Sequence, residues 1–241
     1  MLERLLPQSV EVVETRSDDL DAHLFPEEEE VIARAVEKRR REFSTGRACA
    51  RAALDRLGIE AQAISTGSRG EPQWPGGIVG SITHCDGYRA CAVARQADLA
   101  TLGVDAEVDA PLPDGLLDDI ALPAERPALE ALRREEPLNW DRLLFSIKES
   151  VYKAWFPLAK RWLGFEDAVV TIDREERTFS ARLLVSGPSV GGRELNGFEG
   201  RWLAAEGLLL TAIELAVGSG EASEPGLGNG QTVGEDKKAR R

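Results

Sequence analysis

Helical and strand-like patterns alternate twice along this chain, and that order constrains its architecture more than any other feature of the sequence. A strand at 10–14 is followed by a helix start at Pro26, where proline in the first turn and Glu27 to Glu30 suit the positive end of the helix dipole. A second helical stretch, 47–57, ends at Gly58, a natural C-cap. Residues 78–84, 88–95 and 100–107 then read as short strands. Past Pro111 and Pro113, a helical patch at 128–134 precedes a longer helix from about Asn139. In it Trp140, Leu143, Leu144, Ile147, Val151 and Trp155 recur at helical spacing, with Pro157 expected to close it. Strands resume at 168–173, 178–185 and 208–215. Helices followed by strands, twice over, predict an α+β chain of two similar halves, 1–103 and 104–216, meeting near Gly103.

Residues 217–241 lie outside that pattern. They are rich in Gly and Ser with almost no large apolar side chain, so burial cannot offset their ordering entropy, and a disordered tail is expected. The tail holds four acids and four bases, so the formal charge of −12 belongs to the folded part. Such a charge argues against general binding to nucleic acid or anionic lipid. No apolar run approaches the roughly 20 residues a bilayer requires, and Glu3 and Pro7 sit where a signal peptide has its apolar stretch. Cys49, Cys85 and Cys91 are odd in number and show no CxxC spacing, against a disulfide framework or a cysteine zinc site. A cytoplasmic, reduced protein is expected.

Four clusters could do chemistry. On a strand, Asp105 and Glu107 share a face while Val104 and Ala106 face the core. Two adjacent carboxylates repel, which a hard cation such as Mg²⁺ relieves, unless they merely form a solvated strand end. Glu149 and Lys153, four apart on a helix, fit either a surface ion pair or a proton acceptor and a phosphate clamp. His84, at a strand-to-turn junction after Thr83, suits a structural role or a phosphate contact. The run Lys38-Arg39-Arg40-Arg41, with Arg47 and Arg51 beyond it, is either a solvated face or a positive island for a phosphate monoester. Arg40 and Arg47 would share a face if the helix continued through Ser44-Thr45-Gly46.

Together these clusters form an ordered pattern: KRRREFSTGRACAR (38–51), GSRGEPQWPGG (67–77), GSITHC (80–85), LGVDAE (102–107), FSIKESVYKAWFP (145–157) and RWLGFEDA (161–168). The pattern resembles the 4′-phosphopantetheinyl transferases of the larger Sfp/EntD type, nearest the PptT-like branch serving siderophore, polyketide and mycolate-type synthases. The resemblance spans about residues 1–216. It implies a pseudo-dimer of two α+β halves in one monomeric chain, with the active site between them. It further implies transfer of the 4′-phosphopantetheine group from coenzyme A to a serine of an apo acyl or peptidyl carrier protein, with 3′,5′-ADP leaving.

By the same resemblance Asp105, Glu107 and Glu149 are the Mg²⁺ ligands, and Asp105, Glu149 and Lys153 the catalytic set. Glu149 is also the base for the serine, and Lys153 neutralises the pyrophosphate. Arg47 and Arg39, the latter chosen over Arg40, hold the 3′-phosphate of coenzyme A; Arg69, Thr83 and His84 supply further phosphate contacts. Tyr152 and Trp162 line the channel for the pantetheine arm. Thr66 replaces a lysine found in near relatives. Two rivals remain: a Mg²⁺-dependent phosphohydrolase with the same carboxylates, and a coenzyme A-binding docking module without transfer. The net charge repels an acidic carrier, so docking needs a local basic or apolar patch.

Overall fold

A computed structural model of the chain describes residues 1–18 and 22–218. Two antiparallel sheets stack face to face, and each carries one 20-residue helix on its outer side. The first sheet has the order β1-β3-β2, from β1 (Glu11–Thr15), β2 (Ile78–Cys85) and β3 (Tyr88–Arg95). Helix α1 (Pro26–Ile32) leads into α2 (Glu37–Arg56), which covers this sheet. The second sheet has the order β4-β10-β9-β6-β5, where β4 is Leu99–Val108, β5 Ala168–Asp173, β6 Thr178–Leu183, β9 Gly197–Ala205 and β10 Leu208–Ala216. Short helices α3 (Leu116–Ile120) and α4 (Arg126–Glu135) precede α5 (Trp140–Ala159), which lies on this sheet. A small ribbon, β7 (Ser189–Val190) with β8 (Arg193–Glu194), completes the set.

Strand alternation builds three cores. Cys91 and Val93 of β3 pack beneath α2 with Ala50, Ala53 and Leu54. Tyr88, Ala90, Ala92 and Ala94 of the same strand face the other sheet, meeting Leu102, Val104 and Ala106 of β4 and Leu208, Leu210 and Ala212 of β10. The third core sets Leu143, Leu144, Ile147 and Val151 of α5 against Val170, Phe179, Phe198, Trp202 and Ile213. Its Trp140 and Trp202 are fully buried and meet edge to face, 5.4 Å between ring centroids. Such a pair adds about 0.5–1.5 kcal/mol beyond its buried area.

Where β2 meets β4, side-chain hydroxyls replace a strand ladder. Ser81 Oγ accepts the Val104 N–H at 3.1 Å and Thr83 Oγ1 accepts the Ala106 N–H at 2.9 Å. On the other face of β4, α5 approaches closely: Thr101 Oγ1 donates to the Ala154 carbonyl at 2.7 Å. A side-chain carbon on Gly103 would run into the carbonyl oxygen of Ser150, so this position is restricted to glycine by space alone.

Several elements differ from the sequence expectation. α2 runs unbroken from Glu37 through Gly46 rather than starting at Arg47. α5 continues two residues past Pro157, because a proline in the last turn forfeits one hydrogen bond there without stopping the chain. α3 and β9 were not anticipated. β9 does alternate, with Phe198, Gly200 and Trp202 buried between Glu199 and Arg201, a signal of period two. Val217 still donates to the Asp98 carbonyl at 3.1 Å, while the expected disorder of 219–241 falls outside the described residues. No described helix is long and apolar enough to cross a membrane.

Replacing Gly103 with alanine should force α5 away from β4. The expected cost is about 1–3 kcal/mol, as for other overpacked sites, or several degrees of melting temperature in a chain of this size. Thermal denaturation followed by circular dichroism measures it; an unchanged midpoint would show that the helix does not rest on this residue.

Candidate active site between the sheets

Residues 101, 103, 105 and 107 of β4 face α5, opposite the apolar 102, 104 and 106. From α5, Arg142, Ser146, Glu149 and Lys153 follow at helical spacing and meet that face. Asp105, 4% exposed, is held at both oxygens. Its Oδ1 accepts Lys153 Nζ at 2.7 Å and Thr83 Oγ1 at 3.2 Å, and its Oδ2 accepts Ser146 Oγ at 2.8 Å. Lys153 Nζ also donates to the Val104 carbonyl at 3.1 Å. Glu107 Oε2 accepts Arg142 at 2.9 Å.

This strip has too much negative charge for its burial. Burial first, then the charge of Asp105, pushes the Glu107 carboxyl up to about 7. The same two causes raise Glu149, with Lys153 opposing them. Oxygen donors in mutual repulsion suit a hard divalent cation. Yet among the described residues no three His, Cys, Asp or Glu side chains gather into a ready-made metal cage. Lys153 and Arg142 meanwhile discharge Asp105 and Glu107 in part. The i,i+4 ion pair expected between Glu149 and Lys153 gives way to the longer-range pair with Asp105.

The basic island divides. Arg40 donates to the Ile32 carbonyl at 2.9 Å and ties α1 to α2; Arg51 grips the buried Glu28 carboxylate at 2.9 and 3.1 Å. Arg39 instead reaches His84, 2.6 Å from Nη1 to Nε2, and makes no ion pair among the described residues. Arg47 is 5% exposed, stacks on Phe43 with 4.4 Å to the ring centroid, and donates to Thr66 Oγ1 at 3.0 Å. Its Nε lies 3.8 Å from the buried Glu28 carboxylate but finds no hydrogen-bond acceptor among the described residues, and burial lowers its pKa to about 10. Burial, aided by Arg39, Lys153 and Arg89, depresses His84 to about 4, so its ring is neutral.

The Thr83 hydroxyl donates to Asp105 and accepts from the Ala106 N–H, so it positions the aspartate. Ser146 and Arg142 were missed by sequence reasoning. Their signal was the spacing 142, 146, 149, 153, one helical stripe ending at the two residues that were recognised.

A cleft of about 450 Å³ opens between the sheets, lined among others by Arg69, Trp74, Ser81, Glu149, Tyr152 and Lys153. A smaller, largely apolar pocket of about 100 Å³ adjoins it, formed by Tyr152, Trp162, Leu163 and Phe165 with Lys148. Glu149 and Tyr152 line both. The Tyr152 and Trp162 rings lie 5.0 Å apart, and Tyr152 Oη is buried without a hydrogen-bond partner among the described residues. The geometry offers a polar cleft for a charged group, a narrow apolar extension, and a carboxylate where they meet.

Residues 27–94 match the family model of the 4′-phosphopantetheinyl transferase N-terminal domain, and residues 101–191 match that of the 4′-phosphopantetheinyl transferase superfamily. The chain is 54% identical over 222 residues to 4′-phosphopantetheinyl transferase Svp of Streptomyces mobaraensis, covering 92% of this chain and 90% of that protein. To Npt of Nocardia iowensis it is 50% identical over 226 residues, 90% of this chain and all of the relative. To PptT of Mycobacterium tuberculosis it is 50% identical over 197 residues, 79% and 86% of the two chains.

The neutral ring of His84 gives a prediction with a definite sign. The unfolded chain takes up this proton near pH 6.5 and the folded chain only near 4. The group's contribution to stability is therefore complete above 6.5 and is lost as pH falls from there towards 4. Imidazole NMR should show the His84 midpoint near 4, and Arg39→Ala should raise it partway, since burial remains. No movement on that substitution would place the guanidinium away from the ring.

Proposed function

The chain belongs to the 4′-phosphopantetheinyl transferase superfamily, and from that membership we propose how its own residues move 4′-phosphopantetheine from coenzyme A to a serine of an apo acyl or peptidyl carrier protein. The observation that carries this reading is the place of Glu149, where the polar cleft joins the apolar pocket. A diphosphate with a slender arm needs such a junction at its reacting phosphorus. The arm lies along Tyr152 and Trp162, and the unpartnered Tyr152 Oη supplies a donor to its polar groups.

Arg39, Arg47, Arg69 and Lys153 offset the phosphate charges, as guanidinium and ammonium groups do for phosphoryl transfer. The serine oxygen bonds to the phosphorus bearing the arm. The bond from that phosphorus to the bridging oxygen breaks, and the electron pair leaves on 3′,5′-ADP. Glu149 takes the serine proton on its carboxylate, directly or through water. Its raised affinity for protons makes it a stronger base than an exposed glutamate. Asp105, Glu107 and Glu149 would hold Mg²⁺, which when bound supplies neutralising charge to the diphosphate. The setting is a monomer in the cytoplasm.

Incubation with coenzyme A, Mg²⁺ and an apo carrier should add the mass of phosphopantetheine to the carrier. Phosphate release without that mass would favour a phosphohydrolase, and tight binding with neither product a docking module. Asp105→Ala and Glu149→Gln should each slow transfer by about 10²-fold or more, the usual effect of losing a positioned proton acceptor or charge, with little change in melting temperature. Near-normal rates in both would remove the carboxylate site. Arg47→Ala should weaken coenzyme A by about ten-fold or more, the scale of one charge-assisted hydrogen bond, in a calorimetric titration. Unchanged affinity would return Arg47 to a purely structural role.

A further inference from the structure

Glu28 is 0% exposed, yet no step described above uses it. Its two carboxylate oxygens take donors from three separate segments. Oε2 accepts the Phe25 N–H at 3.0 Å, at the start of α1, and Oε1 accepts the Ile64 N–H at 2.9 Å. From α2, Arg51 Nη1 donates to both, at 2.9 and 3.1 Å. A carboxylate is kept in the interior only when it is paired and hydrogen-bonded, and this one is both. The bond to Ile64 is the one that leads to the site. Ile64 packs in the core beneath α2 and begins a turn, 64–73, that doubles back on itself. There the Gln73 N–H donates to the Ser65 carbonyl at 2.9 Å and the Gly67 N–H to the Glu71 carbonyl at 2.8 Å. This turn brings Arg69 to the cleft. Two residues past Ile64 it presents Thr66, whose Oγ1 accepts Arg47 Nη2 at 3.0 Å. Glu28 and Arg47 therefore hold the same turn at neighbouring points.

We propose that Glu28 is a positioning residue: by fixing the Ile64 amide it sets the place of the 64–73 turn, and through Thr66 it sets how the Arg47 guanidinium faces an incoming phosphate. A guanidinium is planar, so a bond at one nitrogen also aims the N–H groups on the others. A carboxylate is needed at this place because two backbone amides approach two different oxygens. Glutamine has one oxygen, and when that serves one amide its NH2 turns a donor towards the other. The last link, Arg47 to the 3′-phosphate of coenzyme A, rests on the transferase reading above; the hydrogen bonds that join Glu28, Ile64, Thr66 and Arg47 do not.

Calorimetric titration of the full chain with coenzyme A and with 3′-dephospho-coenzyme A tests it, since the two ligands differ only in the phosphate that Arg47 would meet. The wild type should prefer coenzyme A. Glu28→Gln should cut that preference several-fold, the scale of one net hydrogen bond. Thr66→Val, which deletes the link and leaves Glu28 in place, should do the same. In an Arg47→Ala background Glu28→Gln should leave the ratio of the two affinities unchanged, since the glutamate acts on this phosphate only through the arginine. Melting curves show whether each variant is folded. Glu28→Asp, which keeps the charge but is too short to reach both amides, serves if Glu28→Gln is not. A lower melting temperature with an undiminished preference for coenzyme A would make Glu28 a brace for the fold alone and overturn the proposal. A wild type that does not distinguish the two ligands overturns instead the placing of the 3′-phosphate at Arg47, on which the proposal stands.

Discussion

The close seating of α5 on β4 is the constraint on which the site depends. Gly103 has no side chain, and so the carbonyl of Ser150 can occupy the space where a Cβ would sit. One turn of helix to either side, Ser146 and Lys153 then reach Asp105, two residues along the strand, at 2.8 and 2.7 Å. Thr101 reinforces the approach by bonding the Ala154 carbonyl. A helix held even one side-chain layer higher would leave Asp105 facing a gap, where its charge could be retained only by water.

That proximity creates an electrostatic conflict which the fold does not fully resolve. Asp105 is buried and ionically paired, and its charge is felt by Glu107 and Glu149, whose carboxyls bind protons more readily as a result. Structural stability alone would be served by replacing one of these acids with an apolar residue. Their retention on a buried strip, beside a cleft with Arg69 and Lys153, is strain of the kind found where a site awaits a cationic or phosphate-bearing partner. The same logic marks Arg47: its buried Nε has no hydrogen bond among the described residues and only a 3.8 Å ion pair with Glu28, which is costly unless something else engages it.

Much of this was legible in the sequence, for reasons that can be named. Asp105 and Glu107 were assigned to one face because strand periodicity is two, and Val104 and Ala106 do lie in the core opposite them. Glu149 and Lys153 were found because their motif is short and on one helix. Partners contributed from elsewhere were not legible. Thr83 reads as an available hydroxyl until the proximity of β2 and β4 shows it bonded to Asp105 and Ala106. For Arg39 and Arg40, spacing to Arg47 pointed to one and helical geometry to the other, whereas their contacts depend on where the Ile32 carbonyl and His84 lie relative to α2. Lys148, beside the motif glutamate, is buried on Glu125 and the Ile120 and Phe165 carbonyls. Each omission concerns a contact between residues far apart in the chain, which neither periodicity nor composition encodes.

The seam between the two sheets explains how such separate parts can act as one site. Two sheets packed through alanines and leucines alone could slide, because apolar contact is non-directional. Ser81 and Thr83 remove that freedom by bonding the backbone of β4 at Val104 and Ala106. These amides flank Asp105, and Thr83 donates to the aspartate itself, so the register of the seam and the position of the carboxylate are set by the same hydroxyl. His84 follows Thr83 directly in the chain and meets Arg39 on α2. His84 and Arg39 are therefore located relative to the carboxylates of the second sheet by two hydrogen bonds, across a distance that hydrophobic packing alone would leave loosely defined.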